Sequence, residues 1–257
     1  VDSTVAFLGI PFAMPPVGAL RFAPPVEHAC WTGIQATTAY GPACPQKNQD
    51  TGRFEGSEDC LSLNVWTPKL DATARLPVLV FIYGGGNIVG STDEHLLSNL
   101  YDGHALAMRE QAVVVTPNYR LGALGFFADP ALDAESPSRV SGNQGTLDHI
   151  AALQWVKDNI AAFGGDPARV MVFGESSGAI NVCSLVASPL AAGLFSSALM
   201  QSGGCGAHSQ ATQKATSAAL ARKLGCTSDV ATCMRSLTAE QIVAATAGFG
   251  ELLKSLT

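Results

Sequence analysis

The chain has 257 residues, of which 47% are apolar and 14% charged, and its formal net charge is −6. Such a composition belongs to a globular protein with a substantial core, enough for one large α/β domain or two small ones. The acidic balance and the lack of any Lys/Arg cluster argue against nucleic-acid binding, and the longest apolar runs, such as Leu76 to Tyr83, are far too short to span a bilayer.

The sequence opens on VDSTVAFLGIP, with neither a basic n-region nor an apolar h-region, so any signal peptide is expected to have been removed or to lie outside it. Residues 1–30 are proline-rich and read as extended, turn-broken surface chain. The polar, glycine-containing stretch 41–60 reads as a loop. Leu61 to Trp66 alternates in the manner of a strand, stopped by Thr67-Pro68. Pro77 to Tyr83 is nearly continuous apolar sequence, as a buried parallel strand requires, and it breaks at Gly84-Gly85-Gly86. A short helix is expected around His104 to Arg109, a buried strand at Ala112 to Thr116, and a long site-lining or surface-covering loop from Gly122 to Gly142.

Gln144 to Ala162 is the longest predicted helix, with Leu147, Ile150, Ala151, Trp155 and Ile160 able to share a buried face. Strand character from Val170 to Phe173 and helical character from Ala179 to Ala187 flank Gly174-Glu175-Ser176-Ser177-Gly178. A further strand is expected at Ser197 to Gln201, then helices at Gln210 to Leu224 and Thr238 to Ala247. Strands alternating with helices imply a mostly parallel central sheet covered on both faces.

The seven cysteines, at positions 30, 44, 60, 183, 205, 226 and 233, include no C-x-x-C pair, so no zinc site or other metal site is expected. Cys44/Cys60 and Cys226/Cys233 each bracket a short polar segment, which suits local disulfide loops in an oxidising compartment; buried thiols in a cytosolic protein are the alternative. Connectivity does not follow from spacing, and an odd count leaves at least one thiol over.

Residues 174–178 form a G-x-S-x-G sequence between a strand and a helix, as a nucleophile elbow needs. The serine occupies a tight, strained turn, and only glycine fits two positions before and after it. The turn lifts the Ser176 hydroxyl to the positive end of the following helix, where developing negative charge is stabilised. Gly84-Gly85-Gly86 can turn backbone N–H groups toward a substrate carbonyl, and the N–H of Ser177 would supply a further donor. A phosphate loop is a poor alternative, because neither G-x-G-x-x-G nor a P-loop Lys-Ser/Thr is present.

On these motifs, together with FLGIPFAMPPVGALRF, SEDCLSLNVWTP, PNYRLGALGFFA, GNQGTLDHIAALQWVKDNIAAFGGDP and LMQSGG, the chain resembles the N-terminal half of a type-B carboxylesterase. That family includes cholinesterases and some fungal lipases. The resemblance implies an α/β-hydrolase fold, with residues 1–257 the N-terminal portion of one such domain. It implies Ser176 as nucleophile; Gly85, Gly86 and Ser177 as oxyanion hole; Glu175 as a carboxylate lining the gorge; and Ser202 as a serine near the triad acid. Cys44–Cys60 and Cys226–Cys233 match the family's first two disulfides. Arg21 with Glu58 and Arg120 with Asp148 match its structural ion pairs. Ser177 replaces the usual alanine, a harmless change where the donor is the backbone. Asn87 stands where an aromatic commonly follows the glycines, implying a more polar or open acyl side. The short Cys44–Cys60 loop holds no tryptophan and forms no long lid, which argues against a choline substrate and interfacial activation.

In the family the triad acid and His both lie beyond position 257. Of the five histidines, His28, His104 and His149 are expected to be structural or exposed, His95 lies after the glycine loop, and His208 near the acyl-pocket segment is the one tempting base. The expectation is a secreted or periplasmic serine carboxylesterase. It acts on a small-molecule ester, needs no cofactor, and is partnered by the C-terminal half of the same domain. Without that half the chain is expected to aggregate, its sheet being only partly covered. A non-catalytic cholinesterase-like binding protein and a lipase or polyester hydrolase are the rival readings.

Overall fold

The valine-rich stretches form the interior strands of a six-stranded sheet in the computed structural model, which describes residues 4–92 and 100–246. In chain order the elements are β1 (Val5–Pro11), β2 (Gln46–Lys47), β3 (Phe54–Glu55), β4 (Ser62–Thr67), β5 (Leu76–Ile82), α1 (His104–Glu110), β6 (Val113–Pro117), α2 (Gly122–Phe126), α3 (Pro130–Glu135), α4 (Gln144–Asn159), β7 (Gly165–Glu175), α5 (Ser177–Ala187), β8 (Ser197–Gln201), α6 (Gln210–Lys223), α7 (Val230–Ser236) and α8 (Ala239–Ala245). The sheet order is β1-β4-β6-β5-β7-β8. From β6 to β8 the neighbouring strands run parallel, while β4 lies antiparallel to both β1 and β6.

Period-two alternation divides the strands between two faces. Val78, Val80, Ile82, Val113 and Val115 pack with Leu153 and Val156 of α4 and Val182 and Leu185 of α5. Trp66 and Val114 point the other way and are covered by Ala107 of α1. A separate helical core joins Phe22, Leu124, Phe127, Leu132, Ala221, Met234 and Ile242. The last strand, β8, lies at the sheet edge, and its Leu199 and Met200 are exposed.

Several expectations from sequence are corrected. The proline-rich start is not simply surface chain: β1 pairs with β4, and Ile10, Phe12, Ala13 and Phe22 are buried, because β4 would otherwise leave its outer edge unpaired. The polar 41–60 stretch holds a small hairpin, β2–β3. The expected loop at 122–142 contains α2 and α3. The second starts where the Asp129 side chain accepts from the Ala131 N–H and Pro130 takes the first helical position, a local signal that the loop reading passed over. On α4 the fully buried side includes Gln144, Asp148, His149, Ala152, Leu153 and Val156, whereas Leu147, Ile150, Ala151 and Trp155 are only half-buried. The first half of the inward side is polar because Asp148 meets Arg120: Arg120 Nη2 and Nε donate to the carboxylate at 2.6 and 2.8 Å.

Disulfides join Cys44 to Cys60, Cys226 to Cys233 and, with no signal in the spacing, Cys183 to Cys205. Cys30 is a free, exposed thiol. The guanidinium of Arg21 is held by Glu58, with Nε donating at 2.6 Å, and also donates to the carbonyl of Arg235. Entry segment and helical core are thereby stapled together.

Candidate active site

Between β7 and α5 the chain reverses within one residue. Ser176 has φ 55° and ψ −123°, a conformation that costs a non-glycine residue about 1–3 kcal/mol. Close approach explains the flanking glycines. A Cβ on Gly178 would stand 2.1 Å from the Ile82 carbonyl oxygen, and one on Gly174 would stand 2.6 Å from the backbone of Gly178. No side chain fits at either position. The turn is anchored from the Ser176 N–H to the Gln201 carbonyl at 2.9 Å, so the edge strand fixes the elbow.

The glycine loop leaves the end of β5 directly against this turn: a Cβ on Gly84 would lie 3.0 Å from the Ser176 Cβ and 2.9 Å from Glu175 Oε2. Gly85 and Gly86 both take positive φ, 98° and 67°. The carbonyl of Gly85 accepts from the Ile88 and Val89 N–H groups, closing the loop on itself. Among the described residues, the N–H groups of Gly85, Gly86 and Ser177 donate to no acceptor, and Ser176 Oγ has no hydrogen-bond partner. The glycine loop thus packs on the elbow at Gly84 and meets the first turn of α5 where the Asn87 N–H donates to Ser177 Oγ.

The other named residues fall as follows. Glu175 is exposed beside the nucleophile. Ser202 is exposed at the end of β8 with φ 54°, and the next residue, Gly203, packs so tightly on the elbow that a Cβ there would meet the Ser176 carbonyl oxygen at 2.5 Å. Asn87, expected on the acyl side, is half-buried, and its side-chain oxygen accepts from Asn181 Nδ2 and the Tyr119 hydroxyl. Nor is the Ser177 hydroxyl idle, since it accepts from the Asn87 N–H. Sequence reading missed Asn181 and Tyr119 altogether, and only their fit to Asn87 in three dimensions identifies them.

No described histidine reaches Ser176 by a hydrogen bond. His28 contacts the Ala29 carbonyl, His104 meets Thr4 at 2.6 Å, and His208 is exposed. His95 lies outside the described residues. His149 is fully buried on α4, 4.3 Å from the Tyr119 ring, and neither of its ring nitrogens has a partner among the described residues. Desolvation pushes its pKa down from 6.5 to about 3. The unfolded chain therefore takes up this proton below pH 6.5 while the folded one refuses it down to about 3. Across that window stability falls with falling pH, by up to about 1.4 kcal/mol per pH unit. Urea unfolding of the parent and of His149→Gln from pH 7 to 4 checks this: the parent is expected to lose stability relative to the variant as pH falls, and parallel curves would refute it.

Among the described residues, no group of three or more His, Cys, Asp or Glu side chains could hold a metal ion, and no helix is long and apolar enough to cross a membrane. A family model described as the carboxylesterase family matches residues 2–255. Fumonisin B1 esterase of Sphingopyxis macrogoltabida is 50% identical over 201 residues, covering 77% of this chain and 36% of that protein. Carboxylesterase 1D of Rattus norvegicus is 47% identical over 211 residues, covering 77% and 35%. Among solved structures, a thermophilic PNB esterase superposes with a TM-score of 0.87 at 38% identity, over 99% of this chain and 52% of that one. A second PNB esterase gives 0.85 at 40% identity, over 95% and 50%. The chain thus spans little more than a third of the length of these curated relatives and about half of the solved structures.

Proposed function

The chain belongs to the carboxylesterase family and has the α/β-hydrolase fold, and from that premise we propose that the protein hydrolyses carboxylic esters through an acyl-enzyme on Ser176. The observation that carries this reading is a strained serine with a glycine loop packed against its turn, the serine hydroxyl and the N–H groups of Gly85, Gly86 and Ser177 having no partner among the described residues. In the first step an imidazole takes the Ser176 proton as Oγ bonds to the acyl carbon. The carbonyl oxygen becomes an oxyanion held by the N–H groups of Gly85, Gly86 and Ser177. Collapse of the tetrahedral adduct breaks the ester C–O bond, and the alcohol leaves with the proton. Water, deprotonated by the same imidazole, then releases the acid and regenerates Ser176. This chemistry needs no cofactor.

We assign the imidazole and its orienting carboxylate to a segment C-terminal to residue 257, with residues 1–257 as the N-terminal portion of one domain. The exposed edge of β8, with Leu199 and Met200, offers that segment a sheet to extend. Three disulfides favour a secreted or periplasmic setting. Esters of small alcohols suit the site better than lipid droplets, because only 15 residues separate Cys44 from Cys60, too few for a long lid.

Intact-mass analysis after incubation with a fluorophosphonate tests the reading. The expected result, in the protein carrying its C-terminal residues, is one adduct per chain located on Ser176. No adduct would favour a cholinesterase-like binding protein. An adduct on these 257 residues alone would move the base into them, with His208 the first candidate.

A further inference from the structure

Three consecutive glycines make a poor clamp for an oxyanion. Without side chains they lose the most conformational entropy on ordering, yet their N–H groups must hold position to a fraction of an ångström. At one end the loop is anchored by β5. What fixes the other end is Asn87.

Every polar group of Asn87 is engaged. Its N–H donates to Ser177 Oγ at 3.1 Å. Its carbonyl accepts from the Gly122 N–H at 2.6 Å. Its Oδ1 accepts from Asn181 Nδ2 at 2.8 Å and from the Tyr119 hydroxyl at 3.1 Å, and its Nδ2 lies 3.4 Å from Asn181 Oδ1. The Tyr119 hydroxyl shares its one proton with the Tyr83 carbonyl, 3.0 Å away at the end of β5. Asn181, Ser177 and Tyr119 are all buried, so water cannot replace these bonds cheaply. Asn87 also has φ 57°, which asparagine tolerates better than most residues.

The geometry points to Asn87 and the Ser177 hydroxyl as positioning residues that lock the two walls of the oxyanion hole in register. The inference rests on the esterase reading above. Ser177 supplies a donor to one wall through its backbone, and through its side chain grips the residue that ends the other wall. Asn181, one turn further along α5, repeats the grip from the same helix. The glycine loop and the helix start therefore move together or not at all.

The test uses Ser177→Ala, which keeps the backbone donor and removes only the hydroxyl, and Asn87→Gly, which keeps the left-handed backbone and removes only the amide. Rates on p-nitrophenyl butyrate are normalised to sites titrated with a fluorophosphonate, so that unfolded protein does not count. Expected are falls in kcat of about tenfold for Ser177→Ala and about a hundredfold for Asn87→Gly, with KM changed less than about twofold. The Ki of a trifluoromethyl ketone, whose adduct with Ser176 carries an oxyanion, should weaken in proportion. Ser177→Thr, which restores a hydroxyl, should recover most of the rate. Unchanged kcat per titrated site with only a lowered Tm, or a loss confined to KM, would overturn the proposal. In the parent protein the Asn87 amide should exchange with deuterium as slowly as the amides of β5, and fast exchange would overturn it without any variant. A parent protein with neither turnover nor a titratable site would instead sink the esterase reading itself.

Discussion

Ser176→Ala is expected to lower kcat on p-nitrophenyl esters by about 10⁴- to 10⁶-fold while leaving the fold and the unfolding midpoint essentially intact. The change removes one oxygen that has no hydrogen-bond partner among the described residues, so nothing in the scaffold loses a contact. The backbone N–H groups of Gly85, Gly86 and Ser177 remain. Residual rate above water would report their contribution to binding and polarising the ester. Single-turnover kinetics with an active-site-titrated parent as reference give the measurement. Activity surviving at about a hundredth of the parent or more would place the nucleophile elsewhere.

The largest effect on stability is expected near the start of α4. The carboxylate of Asp148 is fully buried and accepts from the Arg120 N–H, Nε and Nη2, and the Arg120 side chain is 3% exposed. Asp148→Ala strands all three donors and leaves a guanidinium charge in a dry interior, which is expected to cost about 3–5 kcal/mol. The same guanidinium also donates to the carbonyl of Ala23, so loosening it should free the entry segment as well. Urea unfolding at neutral pH measures the loss. Replacing both partners, as Arg120→Met with Asp148→Leu, should recover most of it, because the uncompensated charge is what destabilises. A loss below about 1 kcal/mol for Asp148→Ala would show that water or another anion reaches Arg120.

Much of the scaffold was legible because its signals are local. Pro77 to Tyr83 can scarcely be anything but a buried strand, and the structure forms it over Leu76–Ile82. The strand expected at Ser197 to Gln201 is found over those same residues. Gly174, Ser176 and Gly178 declare the elbow within five residues. What escaped depends on partners distant in sequence. The buried side of α4 could not be read from apolar periodicity, since its first half carries Gln144, His149 and an aspartate held by Arg120. The third disulfide joins cysteines 22 positions apart, one on α5 and one beyond β8. The bonds that Asn87 makes escaped because nothing near it in the chain announces Asn181 or Tyr119. The site's floor was therefore readable, and the bracing beneath it was not.

The backbone of Ser176 also has a bearing on evolutionary drift. At φ 55° and ψ −123° a glycine would sit without strain, so the chain carries a standing penalty of about 1–3 kcal/mol at this one residue. Substitution by glycine there would be rewarded by any selection that sees only folded yield. A lineage using this fold merely as a surface has every incentive to make that exchange, and a lineage living on turnover can never make it.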